Sequence, residues 1–325
     1  MRPLFAILAV GLLACSAAQA QKEPCATAGN NYDFLGIQTI RLWPGDAPEA
    51  KGQACEDTPT LTIFEPHHGT GNGSAVVVLP GGSYVRLAGN LEGRQVADWF
   101  TARGFRAFVL SYRLTSNGYL LPVPLLDARR AVQLVRARAR DYQIDPGRIV
   151  VIGFSAGGHL AALAATQFVP GNPEADDPIE RASSRPDYLV LGYPWIGAIS
   201  SDTSHLSYCK LFNVMGQCEA LRTAYSPDLF VTKDTPPTFL YHTFTDRTVP
   251  VEQGLRFYAA LVKAGVPSEM HIFASGPHGT GLGHADAALD QWPNLLENWL
   301  RAQGLLTPDK SATGDKPQAK KQAEN

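Results

Sequence analysis

One pentapeptide constrains this chain more than any other feature: Gly153-Phe154-Ser155-Ala156-Gly157. It follows the run Arg148-Ile-Val-Val-Ile152 directly and leads straight into Gly158-His-Leu-Ala-Ala-Leu-Ala-Ala165. The first run is continuously apolar and β-branched, as in a strand buried on both faces. The second is rich in Ala and Leu and reads as helix. A passage from strand to helix with so little between them must be a sharp turn that projects its central side chain from a sheet edge. Gly153 and Gly157 flank the turn because Cβ atoms there would collide with neighbouring elements. The helix beginning after Ser155 brings free N–H groups and a positive dipole end, useful where an oxyanion develops. Ser155 is the candidate nucleophile.

A serine hydroxyl barely ionises at neutral pH, so it needs a base, and the base needs an orienting acid. Around a turn of this kind the three follow in the order Ser, Asp/Glu, His. After a further apolar strand, Phe239-Leu-Tyr-His242, comes Thr243-Phe-Thr-Asp246-Arg-Thr-Val-Pro250. A carboxylate just past a strand reaches the same edge, which makes Asp246 the candidate acid; a solvated turn aspartate is the plainer alternative. Downstream, Met270-His-Ile-Phe273 leads to Ala274-Ser-Gly-Pro-His278-Gly279, and His278 on that loop is the candidate base. His284 is the reserve. His242 reads as a packed or hydrogen-bonded strand-end histidine and His159 as structural, while His67, His68, His205 and His271 carry no catalytic context. An oxyanion site needs two backbone N–H groups. Ala156 supplies one, and Leu79-Pro80-Gly81-Gly82-Ser83-Tyr84 supplies the other through Gly82 or Ser83, since glycines let backbone approach a substrate closely.

The surrounding pattern repeats the strand–helix theme. Ile37–Trp43 and Leu61–Phe64 read as leading antiparallel strands, and Ala75–Leu79 as a strand buried on both faces. Ala107–Ser111, Ile149–Gly153, Tyr188–Tyr193, Thr238–His242 and Met270–Phe273 have the same character. Leu125, Ala128, Val132, Val135 and Ala139 mark a helix face, which leaves Arg129, Arg130, Arg136 and Arg140 as a solvated one. The alternation predicts an α/β fold: a doubly wound, mostly parallel sheet with helices on both faces. Residues 196–231 break the rhythm between two strands and predict a cap-like insertion at the carboxyl edge, where ligands bind in open α/β sheets.

The ends and the cysteines speak to location. Met1-Arg2-Pro3, an apolar run from Leu4 to Ala14, and Ser16-Ala-Ala-Gln-Ala20 have the form of a secretory signal cleaved after Ala20. The run is too short to span a bilayer core of about 30 Å. Leu12-Leu13-Ala14-Cys15 loosely resembles a lipoprotein signal, so a lipid anchor at Cys15 is the less favoured alternative. Residues 21–305 then form one catalytic domain, and residues 306–325 offer almost nothing to bury and predict a disordered polar tail. The expected location is periplasmic or secreted. Of five cysteines, Cys25, Cys55, Cys209 and Cys218 follow the signal. An even count in an oxidising compartment invites disulfides in one of three connectivities, with the local pairs Cys25–Cys55 and Cys209–Cys218 preferred. With 28 Lys+Arg against 30 Asp+Glu, the chain carries no basic field for phosphate backbones, which excludes nucleic-acid binding as its business. No ligand spacing supports a metal site, and the expected chemistry needs no cofactor.

Several further motifs stand in fixed order: Pro80-Gly-Gly-Ser-Tyr84, Ser111-Tyr-Arg113, Pro124-Leu-Leu-Asp127, Asp145-Pro146, Gly153-Phe-Ser-Ala-Gly-Gly-His-Leu160, Pro236-Pro-Thr-Phe239, Asp246 with Val249-Pro250, and Gly276-Pro-His-Gly279. Through them, from about Trp43 to Leu300, the chain resembles the α/β-hydrolase fold serine esterases, in the bacterial acetylxylan-esterase-like and feruloyl-esterase-like (BD-FAE-like) group. The resemblance implies Ser155, Asp246 and His278 as a triad. It implies hydrolysis of a small acyl ester, acetyl foremost, on xylan or a related acetylated carbohydrate, with no cofactor. Two departures stand out. Ser83 replaces the third glycine usual in the oxyanion loop, keeping its N–H, and Thr280 replaces a common aromatic beside the base. Two rival readings are a prolyl-oligopeptidase-like peptidase and a catalytically dead glycan-binding homologue. The peptidases more often carry Tyr where Ala156 stands, and the intact triad types argue against the dead homologue.

Overall fold

In a computed structural model, residues 37–67, 69–197, 223–284 and 286–307 are described. The expected signal (1–20), the alternative anchor at Cys15, most of the expected insertion and nearly all of the polar tail lie outside them. So do Cys25, Cys209 and Cys218, and with them both expected disulfide pairings; Cys55 is exposed at the start of a short 3-10 turn.

All eight expected strands form. They are β1 (Thr39–Arg41), β2 (Thr60–Phe64), β3 (Ala75–Leu79), β4 (Arg106–Ser111), β5 (Ile149–Phe154), β6 (Tyr188–Gly192), β7 (Thr238–Thr243) and β8 (Ser268–Phe273). They make one sheet in the order β1-β2-β4-β3-β5-β6-β7-β8. β1 and β2 join antiparallel, and every pair from β4 to β8 is parallel. Strands buried on both faces need apolar side chains both ways, and Val76, Val77, Val78 and Leu79 are all buried.

Successive residues of β3 enter opposite cores. Val77 and Leu79 pack in a cluster with Leu125 and Val132 of α2 (Val123–Ala137), Leu160 of α3 (Ser155–Thr166) and Phe257 of α4 (Glu252–Lys263). Val76 and Val78 pack with Val96 and Phe100 of α1 (Gln95–Thr101) and Trp292, Leu296 and Trp299 of α5 (Trp292–Ala302). Helices therefore cover both faces, as the pattern predicts. No helix among the described residues is long and apolar enough to cross a membrane.

The arginines of α2 correct one expectation. Arg130 is buried, donates to Leu42 O at 2.9 Å and pairs with Asp177 at 2.6 Å. Arg136 donates to Ser183 O at 2.6 Å and pairs with Asp187 at 2.8 Å. The segments around Leu42 and residues 177–187 pack over this side of α2, so at Arg130 and Arg136 the expected solvated face is an inner, carbonyl-lined one, while Arg140 is exposed as expected. A helical wheel records spacing but not what later packs on it.

A buried ion pair joins the chain just past β4 to α2. Arg113 Nη2 lies 2.6 Å from Asp127 Oδ1, Arg113 Nε lies 3.0 Å from Oδ2, and the Arg113 N–H donates to Oδ2 at 2.9 Å. Arg113 Nη1 also donates to Pro48 O at 2.6 Å. Removing one member leaves the other charge buried and unpaired, which costs about 3–5 kcal/mol, whereas replacing both with apolar residues can be nearly neutral. Asp127→Ala is therefore expected to lose stability of that order in urea unfolding. An Arg113→Met/Asp127→Leu double variant should lose much less, and equal losses would contradict the pairing argument.

Candidate active site

Each candidate residue sits just past the carboxyl end of a parallel strand: Ser155 after β5, Asp246 after β7, His278 after β8, and Gly82 with Ser83 after β3. The sheet brings the expected nucleophile, acid and base together across 123 residues of chain separation between Ser155 and His278.

The turn at Ser155 is as tight as its glycines suggest. A Cβ on Gly157 would stand 2.1 Å from Leu79 O and 2.5 Å from Pro80 O, and one on Gly153 would stand 2.2 Å from Gly157 O. Ser155 itself takes a left-handed backbone, φ +51°, which is costly for a residue with a Cβ and concentrates at functional sites. Ala156 follows in the first turn of α3, where helix N–H groups have no partner four residues back within the helix.

Ser155 Oγ lies 2.8 Å from His278 Nε2, and His278 Nδ1 lies 2.7 Å from Asp246 Oδ2. Asp246 Oδ1 accepts the N–H groups of Thr248 and Val249, each at 2.9 Å. Burial alone would raise the Asp246 carboxyl. The histidines at its Oδ2, His242 and His278, with the Val249 N–H, outweigh burial and hold it well below the usual carboxylate range. The contact to His242 Nε2 is long, 3.6 Å, and the bond to His278 is the short one. An ionised Asp246 only accepts, so His278 Nδ1 carries a proton and Nε2 is left to accept from Ser155. The Tyr193 ring lies edge-on to the imidazole at 5.0 Å.

Beside Ser155, the loop after β3 runs through three left-handed residues, Gly82 (φ +129°), Ser83 (φ +59°) and Tyr84 (φ +60°). Two of them bear side chains, so the shape must be held from outside. Tyr112 Oη donates to Pro80 O at 2.7 Å, and Thr115 donates to Tyr84 O from both N and Oγ1 at 2.8 and 2.9 Å. Tyr84 Oη meets His159 Nδ1 at 2.8 Å, and His159 Nε2 meets Tyr225 O at 2.7 Å. Since a carbonyl only accepts, Nε2 carries the proton and Nδ1 accepts from Tyr84. A cavity of about 410 Å³ opens beside this loop, lined by Val85, Arg86, Leu87, Tyr112 and Asn117 among others.

The other described histidines stand apart from the Ser155–His278–Asp246 chain or behind it. His242 is buried and donates from Nε2 to Val249 O at 2.8 Å; His159 is buried and structural; the reserve, His284, is exposed and outside the Ser155 chain. His271 pairs with Glu269 at 2.6 Å, and His67 sits in a loop. His68 and His205 lie outside the described residues. Trp195 N donates to Ser155 O at 3.1 Å, which holds the stretch after β6 beside Ser155. Sequence reasoning missed Glu92 and Tyr193. Glu92 lies in Gly89-Asn-Leu-Glu-Gly-Arg94, a polar run without apolar period, where a glutamate reads as solvated.

Comparison with known proteins adds the following. The family described as BD-FAE matches residues 61–188, and the Prolyl oligopeptidase family matches residues 200–303. An acetylxylan esterase of Xylanibacter ruminicola is 33% identical over 237 residues, covering 71% of this chain and 46% of that protein. Endo-1,4-beta-xylanase B of Butyrivibrio fibrisolvens is 35% identical over 209 residues, 63% of this chain and 32% of that protein. The chain thus spans less than half the length of these curated relatives. Among solved structures, an acetyl ester-xyloside bifunctional hydrolase of Caldicellulosiruptor lactoaceticus is 38% identical with a TM-score of 0.72, covering 82% of this chain and 97% of that one.

His159 gives a pH test. Burial pushes its imidazole down to about 4, against about 6.5 in an unfolded chain. Between those values the unfolded chain binds a proton that the folded protein refuses, so stability present above pH 6.5 is lost as pH falls toward 4. At about 1.4 kcal/mol per pH unit the loss is on the order of 3 kcal/mol. Urea unfolding at pH 7, 5.5 and 4.5 should show this slope, and His159→Gln should flatten it. Parallel slopes for the two proteins would refute the assignment.

Proposed function

Because this chain belongs to the α/β-hydrolase fold serine esterases, in the bacterial acetylxylan-esterase-like and feruloyl-esterase-like group, we propose that it is a serine carboxylesterase removing small acyl groups, acetyl foremost, from xylan or related carbohydrates. The observation that carries this reading is the continuous hydrogen-bonded chain Ser155–His278–Asp246. Ser155 Oγ attacks the ester carbonyl while His278 Nε2 takes its proton. Asp246 fixes the imidazole by its Nδ1–H and balances the imidazolium charge. The carbonyl oxygen gains negative charge facing the N–H of Ala156 and that of Gly82 or Ser83. The tetrahedral intermediate collapses, His278 gives the proton to the departing alcohol oxygen, and an acyl-Ser155 ester remains. Water, deprotonated by His278, then attacks that ester; the second tetrahedral intermediate collapses, the acid departs and His278 returns the proton to Ser155 Oγ. Every group in these steps belongs to the chain, the ester or water.

The match of residues 200–303 to the Prolyl oligopeptidase family favours one second reading, a serine peptidase using the same triad. Export belongs to the esterase proposal because an acetylated wall polymer is met outside the cytoplasm. It predicts a mature N-terminus at Gln21 and the pairs Cys25–Cys55 and Cys209–Cys218. N-terminal sequencing and non-reducing peptide mapping of exported protein check both, and a lipidated Cys15 terminus would replace the first.

A serine-directed fluorophosphonate should label the protein and not Ser155→Ala; equal labelling of both would sink the nucleophile assignment. Acetate release from acetylated xylan is expected to exceed both ferulate release and cleavage of a Pro-containing dipeptide amide. A clear preference for the amide would establish the peptidase instead.

A further inference from the structure

Between the oxyanion loop and the histidine loop stands a buried carboxylate to which the steps above give no part. Glu92 belongs to Gly89–Arg94, a single π-turn just before α1. Such turns are rare and frequent at functional sites. The residue is 3% exposed. Its Oε2 accepts the Gly81 N–H at 2.7 Å, and its Oε1 accepts the Tyr193 hydroxyl at 2.7 Å. Tyr193 Oη in turn accepts the Gly281 N–H at 2.8 Å. Gly81 is the root of the oxyanion loop, and Gly281 lies three residues past His278.

The anchor points touch the reacting groups. A Cβ on Gly81 would stand 2.6 Å from Phe154 O and 3.0 Å from Ser155 Cβ, so this loop abuts the nucleophile turn. The Tyr193 ring packs on the imidazole of His278. Burial pushes the Glu92 carboxyl up, and the bonds from Tyr193 and Gly81 pull it back. A carboxylate here is costly unless both oxygens are used, and each is.

We propose that Glu92 is a positioning residue: by holding Gly81 and, through Tyr193, Gly281, one carboxylate fixes the spacing between the oxyanion donors and the base. This rests on the esterase reading with Ser155 as nucleophile. Backbone donors stabilise a developing oxyanion only when pre-placed, so loosening them raises the barrier while ground-state binding is little changed.

The test uses the full chain with p-nitrophenyl acetate, and turnover is normalised to sites titrated by a fluorophosphonate. Glu92→Ala is expected to lower kcat per titrated site by about 10- to 100-fold, with KM within about twofold of the parent. Glu92→Gln should recover much of that loss, because its amide oxygen still accepts from Gly81 and its nitrogen can donate to Tyr193 Oη. Tyr193→Phe keeps the Gly81 bond, cuts the link to Gly281 and should fall between the two. The proposal is overturned if Glu92→Ala turns over within about twofold of the parent per site, if the loss is a loss of titratable sites alone, or if Gln fares no better than Ala. Should Glu92→Ala not fold, unchanged turnover in Tyr193→Phe overturns it. A parent protein that neither labels nor hydrolyses the ester would instead bring down the esterase reading.

Discussion

The approach of Gly157 to the end of β3 is the constraint on which the site depends. With Leu79 O where a Cβ would be 2.1 Å away, α3 can start only if that position carries no side chain. The close start forces Ser155 into a left-handed backbone and lifts its hydroxyl off the sheet edge. It also brings the first turn of α3 beside the loop leaving β3, so the proposed nucleophile and the proposed oxyanion donors share one junction. A looser junction would separate them, and no later loop could restore the alignment.

The parallel sheet then settles what can reach Ser155. Strands β3, β5, β7 and β8 all point the same way, so four loops distant in sequence end at one edge. Environment divides the labour among their ionisable groups. Asp246 stays charged because two backbone N–H groups and His278 bind its oxygens. His159, buried against a carbonyl and a phenol, stays neutral and acts as a strut. Two histidines near one serine thus have separate roles, set by whether a carboxylate or only neutral groups meet the ring.

What the sequence displayed and what it hid follow from the range of the interactions. Strands buried on both faces announce themselves as apolar runs, and all eight are found. The nucleophile turn is local, with its strand, glycines and helix contiguous, and it fixes the order in which acid and base must be sought. Arg130 and Glu92 were opaque for the opposite reason. Each is a charged side chain in a polar-looking stretch whose burial is decided by partners 47 and 101 residues away, Asp177 and Tyr193. Periodicity within a helix or turn cannot register a carbonyl or hydroxyl brought in from elsewhere. The link between Tyr84 and His159, 75 residues apart, was hidden likewise.

The two departures from the family pattern are intelligible in the same terms. Ser83 stands where a glycine is usual, at φ +59°, where a Cβ costs about 1–2 kcal/mol. The position is exposed, so the side chain meets solvent and the backbone N–H is unaltered. The next residue, Tyr84, is also left-handed but fully buried, and its ring, hydroxyl and carbonyl are all engaged. The loop can bear a second strained residue because the first is clamped by its neighbour. Thr280 replaces an aromatic, and its Oγ1 lies 3.1 Å from Tyr241 Oη, which also donates to Gly281 O at 2.8 Å. The loop after His278 is thus tied to β7, the strand that leads to Asp246. The Thr280 hydroxyl thus helps hold the loop carrying His278 in register with the strand that carries Asp246.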